Sequence, residues 1–154
     1  MTIAPVVTTV TVKAPPARAF KLFTERMGEW WEKGKTIGKN AHTEIVIEPK
    51  AGGRWFERDA QGNETNWGKV LSYDPPGRVL LGWQLTAKWQ YDPDFLTELE
   101  ITFVATPGGG TEVRLEHRNL ERFGDAAADI AASIGRGWPK HIGDFGIYAD
   151  QHKE

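Results

Sequence analysis

Apolar and polar positions alternate with a period of two through most of this chain, and only near its start and at its end does the spacing lengthen to that of a helix. The first run, Val6–Val12, is dense in β-branched side chains, which suit a pleated strand. It stops at Pro15-Pro16, where proline cannot donate to a ladder but is pre-set for a first helical turn. Positions 17–27 then carry Ala19, Phe20, Phe23 and Met27 at helical spacing, with Arg18, Lys21 and Glu25 elsewhere on the surface. Gly28 closes this short amphipathic helix, and Glu29-Trp30-Trp31-Glu32 reads as a turn or a second short helix.

From position 43 the period is two. Strands are predicted over 43–48, Arg54–Asp59, Glu64–Asp74, 78–85, 96–106 and 111–120, separated by turn chemistry at Gly52-Gly53, Gly62-Asn63, Pro75-Pro76-Gly77 and Gly108-Gly109-Gly110. The last two strands alternate cleanly. Leu99, Ile101 and Phe103 face Val113 and Leu115, while Glu98, Glu100, Glu112, Arg114, Glu116 and Arg118 point the other way, the mark of an antiparallel sheet with one wet face. Helical spacing returns after Asp125, a candidate cap, and continues to Tyr148. Ile130, Ile134, Trp138, His141, Phe145 and Tyr148 fall in one stripe, and Pro139 either kinks this helix or opens a second segment.

This order predicts an α+β fold: a curved antiparallel sheet of about six or seven strands wrapped around a long C-terminal helix, with two short helices after the first strand. Such a sheet, apolar on one face, leaves a wedge against the helix that side chains or a ligand must fill. At 154 residues the chain fits one domain, with its core over about 6–149. The N-terminal stretch lacks the basic and apolar regions of a signal peptide, and no segment is long and apolar enough to insert in a membrane; a cytoplasmic protein is expected. The 19 basic and 21 acidic side chains leave a charge of −2, which argues against a nucleic-acid binder. The absence of cysteine excludes disulfides, a thiolate zinc site and a cysteine nucleophile. Histidines at 42, 117, 141 and 152 show no ligand spacing, so no metal is expected. Val6–Val12 as an edge strand could pair two copies, leaving monomer and homodimer open.

Composition adds one unusual feature, seven tryptophans. Trp83 and Trp138 should face each other across the wedge, with Trp55 and Trp67 as neighbours and Trp30, Trp31 and Trp89 near its mouth. Any one of these rings is simply core by itself; together they offer more stacking surface than a small core requires. The expected cavity wall comprises Trp31, Trp55, Trp67, Trp83, Trp89, Phe103, Trp138 and Phe145. Strand parity carries His117 and Asn119 inward with Val113 and Leu115, and His141 lies on the helical stripe. Parity at Trp55-Phe56 is ambiguous: with Trp55 inward, Glu57 follows it; with Phe56 inward, Arg54 and Arg58 do. Glu57, His117 and His141 in one apolar space could transfer protons on a bound ring or enol. The alternative is a hydrogen-bonded core histidine and a strand-end salt bridge, for example to Arg118.

Ala14-Pro15-Pro16-Ala17, Gly52-Gly53-Arg54-Trp55, Trp67-Gly68-Lys69-Val70 followed by Asp74-Pro75-Pro76, Trp83, Gly110-Thr111-Glu112-Val113, Leu115-Glu116-His117-Arg118 and Gly137-Trp138-Pro139 stand in an order that resembles the START-like, helix-grip (SRPBCC) superfamily. Within it, the chain is similar to the branch that resembles the C-terminal domain of the activator of heat-shock protein 90 ATPase, from about Val6 to Ala149. The resemblance implies the fold, a deep hydrophobic cavity and no usual cofactor, but no common reaction, because the superfamily spans lipid carriers, polyketide cyclases and co-chaperone domains. The function expected is binding of a small hydrophobic, aromatic or lipid-like molecule. The alternatives are a cofactor-free proton-transfer enzyme resembling the cyclases and a module that regulates a chaperone.

Overall fold

A computed structural model describes residues 2–154. Strand β1 (Val6–Val12) leads into helices α1 (Pro16–Glu25) and α2 (Met27–Trp30). Six strands follow, β2 (His42–Ile47), β3 (Arg54–Asp59), β4 (Glu64–Asp74), β5 (Arg78–Trp83), β6 (Thr97–Ala105) and β7 (Thr111–Arg118), and the chain ends in α3 (Ala127–Gln151). All seven strands form one antiparallel sheet in the order β1-β7-β6-β5-β4-β3-β2, a meander closed by the first strand against the last. This is the predicted α+β helix grip.

The expected alternation is realised in the register of β6 and β7. Leu99 lies opposite His117, Ile101 opposite Leu115 and Phe103 opposite Val113, all buried. On the wet face Arg118 bonds Glu98 and Glu100, each at 2.9 Å. These pairs are half-exposed and contribute little to stability individually.

Boundaries differ from the pattern where turns intervene. α1 begins at Pro16 and stops at Glu25, and Met27–Trp30 forms its own turn of helix. β5 ends at Trp83, because Gln84 bonds across to Trp67 and Asp92 rather than extending the ladder. β7 ends at Arg118, where Asn119 takes a left-handed conformation (φ 66°), so Asn119 is not an inward strand position. A tight helical segment, Leu120–Ala126, then precedes α3 and contains Gly124 at φ 66°. That detour displaces Asp125 from the expected capping position: α3 starts after Ala126 with no side-chain cap.

α3 runs unbroken through Pro139 and packs along β1. Its buried stripe is Ile134, Trp138, Ile142, Phe145 and Ala149, while Ile130, His141 and Tyr148 flank it. Gly146 lets the helix approach β1, since a Cβ there would lie 2.8 Å from Val10.

The core divides into two aromatic groups. At the α1 end Phe20, Phe23, Trp30, Phe103 and Phe145 meet at centroid distances of 4.9–5.7 Å. Trp30, expected near the mouth, belongs here and is only 5% exposed. At the other end are the remaining indoles.

Candidate functional site

Five indoles form a closed ring between the sheet and α3. Trp31 meets Trp67 at 5.3 Å, Trp67 meets Trp55 at 5.4 Å, and Trp55 meets Trp83 at 5.9 Å. Trp83 meets Trp138 at 5.9 Å and Trp138 returns to Trp31 at 5.8 Å, every contact edge to face. This geometry places the positive rim of one ring against the negative face of the next, which adds to the burial of area.

Local backbone features make the ring possible. The β3–β4 register shifts between Trp55 and Phe56, so Trp55 pairs with Gly68 while Phe56 pairs with Asn66, and Trp67 is left as the extra residue. Gly68 pairs with Trp83 on its other side. Having no side chain, it lets Trp55 and Trp83 meet across the strand between them. Its backbone also sits against Gly82, whose carbonyl oxygen would be 1.8 Å from any Cβ at position 68. The parity question at β3 thus has a definite answer. Trp55 and Glu57 point inward, and Phe56 lies on the outer face beneath the guanidinium groups of Arg54 (4.0 Å) and Arg58 (5.3 Å). Covered this way, Phe56 is as buried as an inward residue, which is why two consecutive aromatics fit there.

A cavity of about 580 Å³ opens beside the ring, within the range of small-molecule sites. Trp31, Trp67, Trp83 and Trp138 supply its inner wall, and Leu85 and Ile134 add aliphatic surface. Trp89 stands at the mouth, 42% exposed, against Trp83. It is held there by a left-handed backbone (φ 59°) that is strained for an aromatic residue. On α3, Ser133, Arg136, Gly137, Lys140 and His141 share one face toward the cavity. Three expected wall residues do not line it. Trp55 is fully covered behind Trp67 and Trp83, and Phe103 and Phe145 pack with Phe23 at the closed end of the wedge.

The inward polar groups have separate tasks. Glu57, 2% exposed, accepts hydrogen bonds from the Ile37 amide (2.6 Å) and the Trp67 indole (2.8 Å) on Oε1, and from the Gly38 amide (3.2 Å) and the Thr36 hydroxyl on Oε2. All its acceptor capacity is spent fastening the loop at 36–38 to the sheet, and Arg118, considered as its partner, lies on the other face. Gly38 is needed at this contact, because a Cβ there would lie 2.7 Å from Thr65 Oγ1. The same loop is held by the Trp31 indole, which donates to the Lys35 carbonyl at 3.0 Å.

His117 is wholly buried. Its Nδ1 accepts from the Trp138 indole at 3.1 Å and its Nε2 lies 2.8 Å from Thr97 Oγ1. Because an indole only donates, Nδ1 carries no proton, and the neutral Nε2–H form donates to the threonine. Burial pushes its pKa down to about 3. His117 therefore orients Trp138. His141 alone of the three groups faces the cavity. Its ring stacks on Trp31 at 3.9 Å, and its buried Nδ1 has no protein partner. Burial first, then the charge of Lys140, lowers its pKa to about 4. Among the described residues no three His, Asp or Glu side chains converge to hold a metal ion, and no helix is long and apolar enough to cross a membrane. Sequence reasoning missed the Glu57–loop bond, although Gly38 beside Thr36 was its one visible signal, and it missed Arg136 and Lys140 on the cavity face of α3.

The seven-stranded grip around α3, with a ligand-sized wedge walled by indoles, defines a START-like helix-grip domain of the SRPBCC type. Residues 13–148 match the family described as activator of Hsp90 ATPase homolog 1-like protein, and the chain belongs to that family. Among solved structures it is similar to the anthrahydroquino-γ-pyrone synthase Txn09, at 34% identity over 94% of this chain and 96% of that one, with a TM-score of 0.66. It is also similar to CalC of Micromonospora echinospora, described as a self-sacrificing resistance protein, at 33% identity over 96% and 95% of the two chains, with a TM-score of 0.69. The protein MLL2253 of Mesorhizobium loti shares the fold at 20% identity, covering 96% and 98%, with a TM-score of 0.70. No curated protein matches the chain.

Proposed function

We propose that this protein binds a flat, polycyclic aromatic molecule in the indole-walled cavity. The observation that carries this reading is the inner wall itself: four tryptophans and a stacked histidine around about 580 Å³. Rings present area at little entropic cost, and their edge-to-face arrangement leaves faces available for another aromatic plane. The likeness to a synthase named for an anthrahydroquino-γ-pyrone supports an aromatic rather than an acyl-chain ligand. The test is titration with a neutral anthraquinone, with palmitate in parallel, followed by tryptophan fluorescence and thermal unfolding. Saturable quenching by the quinone and a stability gain of about 2.7 kcal/mol at a hundredfold excess over Kd are expected. Replacement of Gly137 by Leu, which fills the cavity from the helix, should abolish both. Absence of saturable binding by the quinone would overturn the reading.

A second reading, proton transfer on the bound ring, is favoured by one observation, the neutral imidazole of His141 at the cavity wall. With Glu57 and His117 fully engaged elsewhere, His141 would act as a single base. Turnover of an enolisable aromatic ketone that His141→Gln abolishes without loss of binding would establish it.

A further inference from the structure

The cavity's charges are one-sided. Lys35, Arg136 and Lys140 line it, and no aspartate or glutamate does, although the chain as a whole carries a charge of −2. The three cations are not equivalent. Lys140 is already neutralised by Glu32 at 2.7 Å and Asp144 at 2.8 Å. Lys35 and Arg136, in contrast, make no ion pair among the described residues. They approach the mouth from two directions, Lys35 from the loop clamped by Glu57 and Arg136 from the cavity face of α3. On the sheet face the guanidinium groups are matched, Arg54, Arg58, Arg78, Arg114 and Arg118 each bonding a carboxylate, while Arg18 and Arg122 bond backbone carbonyls instead. Of the arginines without a carboxylate partner, Arg136 is the one that lines the cavity.

Unpaired cations at the rim of an apolar cleft lower the energy of an anion there and draw it in from solution. Three of the four inner-wall indoles spend their N–H on protein acceptors, Trp31 on Lys35, Trp67 on Glu57 and Trp138 on His117, so the negative group belongs at the mouth and the ring plane inside. We infer that the ligand is an acidic aromatic, a fused-ring compound carrying a carboxylate or comparable anion, with the rings among the indoles and the anion between Lys35 and Arg136. This rests on the aromatic-binding reading above and adds the charge and orientation of the ligand. His141, neutral near pH 7, and Ser133 offer further hydrogen-bonding groups at the wall.

The test compares two probes of the same shape, anthraquinone-2-carboxylate and anthraquinone-2-carboxamide, by calorimetry and tryptophan quenching at low salt. Each partly exposed cation is worth about two- to fivefold in affinity, so the carboxylate should bind about tenfold tighter than the amide. The preference should shrink on moving from about 0.01 M to about 1 M salt, where the screening length falls from about 30 to about 3 Å. In the double variant Lys35→Gln/Arg136→Gln the two probes should bind alike. The matched control Lys50→Gln/Lys153→Gln, which removes the same charge away from the cavity, should keep the preference. Equal binding of both probes to the unaltered protein would overturn the acidic-ligand inference and leave the aromatic cavity standing. Binding of neither would overturn both. A preference that survives the Lys35/Arg136 change would refute the assignment of the anion to these residues.

Discussion

The burial of His117 makes stability depend on pH in a way that can be calculated. The imidazole has no access to water, its Nδ1 is occupied by the Trp138 indole, and its pKa lies near 3 rather than 6.5. The unfolded chain therefore takes up a proton near pH 6.5 that the folded chain refuses. A depressed histidine pKa means that stability is fully present above about pH 6.5 and is lost as pH falls toward 3. Each unit of pH in this window removes about 1.4 kcal/mol, so His117 alone should cost the fold about 2 kcal/mol between pH 7 and pH 5. His141, lowered to about 4, acts in the same direction, and acid-range carboxylates add to it below pH 5. A difference experiment separates them. In His117→Asn the amide oxygen can still accept from Trp138, but no titrating group remains. Urea unfolding of both proteins at half-unit steps from pH 7.5 to about 4.5, followed by tryptophan fluorescence, should give slopes differing by about 1.4 kcal/mol per pH unit below pH 6. Imidazole NMR should report the Nε2–H form throughout. Parallel stability profiles, or a His117 resonance that titrates near pH 6, would refute the assignment of this histidine as a neutral support for Trp138.

Three further outcomes follow from the same contacts. Glu57→Gln keeps the shape but presents an amide donor to one side of the group of donors; at least one of the Ile37 and Gly38 amides or the Trp67 indole loses its acceptor, at a cost of about 1–3 kcal/mol, and hydrogen exchange at those two amides should accelerate. Gly143→Ala meets nothing within 4 Å and should gain about 0.5–1 kcal/mol in the helix with binding unaltered, while Gly137→Ala gains similarly but narrows the cavity beside His141, so its quinone affinity should fall in an isothermal titration. Gly68→Ala should cost about 3 kcal/mol or more in urea unfolding, because its methyl group would collide with the rigid carbonyl of Gly82.

Much of the architecture is legible in local pattern. Where β6 and β7 alternate, the inward set Leu99, Ile101, Phe103, Val113, Leu115 and His117 can be read directly, because a period of two leaves only two faces and polarity chooses between them. The long terminal helix is legible for the same reason at a different period, although its unbroken passage through Pro139 is not. The pattern is silent where the backbone departs from it. Two adjacent aromatics at Trp55-Phe56 cannot be assigned by polarity, since both end up buried, one by the core and the other by two guanidinium groups. Asn119 looks inward by parity, yet the strand has already ended in a left-handed turn.

The seven tryptophans mark the same division. Their number and their assignment to strands, short helices and terminal helix are properties of the sequence alone, and these place most of them at one wedge. That five close into a ring, that Trp30 joins the phenylalanines instead, and that Lys35 and Arg136 line one cavity were decided only by the tertiary structure. The reason is physical. Periodicity fixes the side of an element on which a residue lies, whereas contacts between elements far apart in the chain depend on a bulge at Trp67, a missing side chain at Gly68 and a loop tied to Glu57, none of which carries a period.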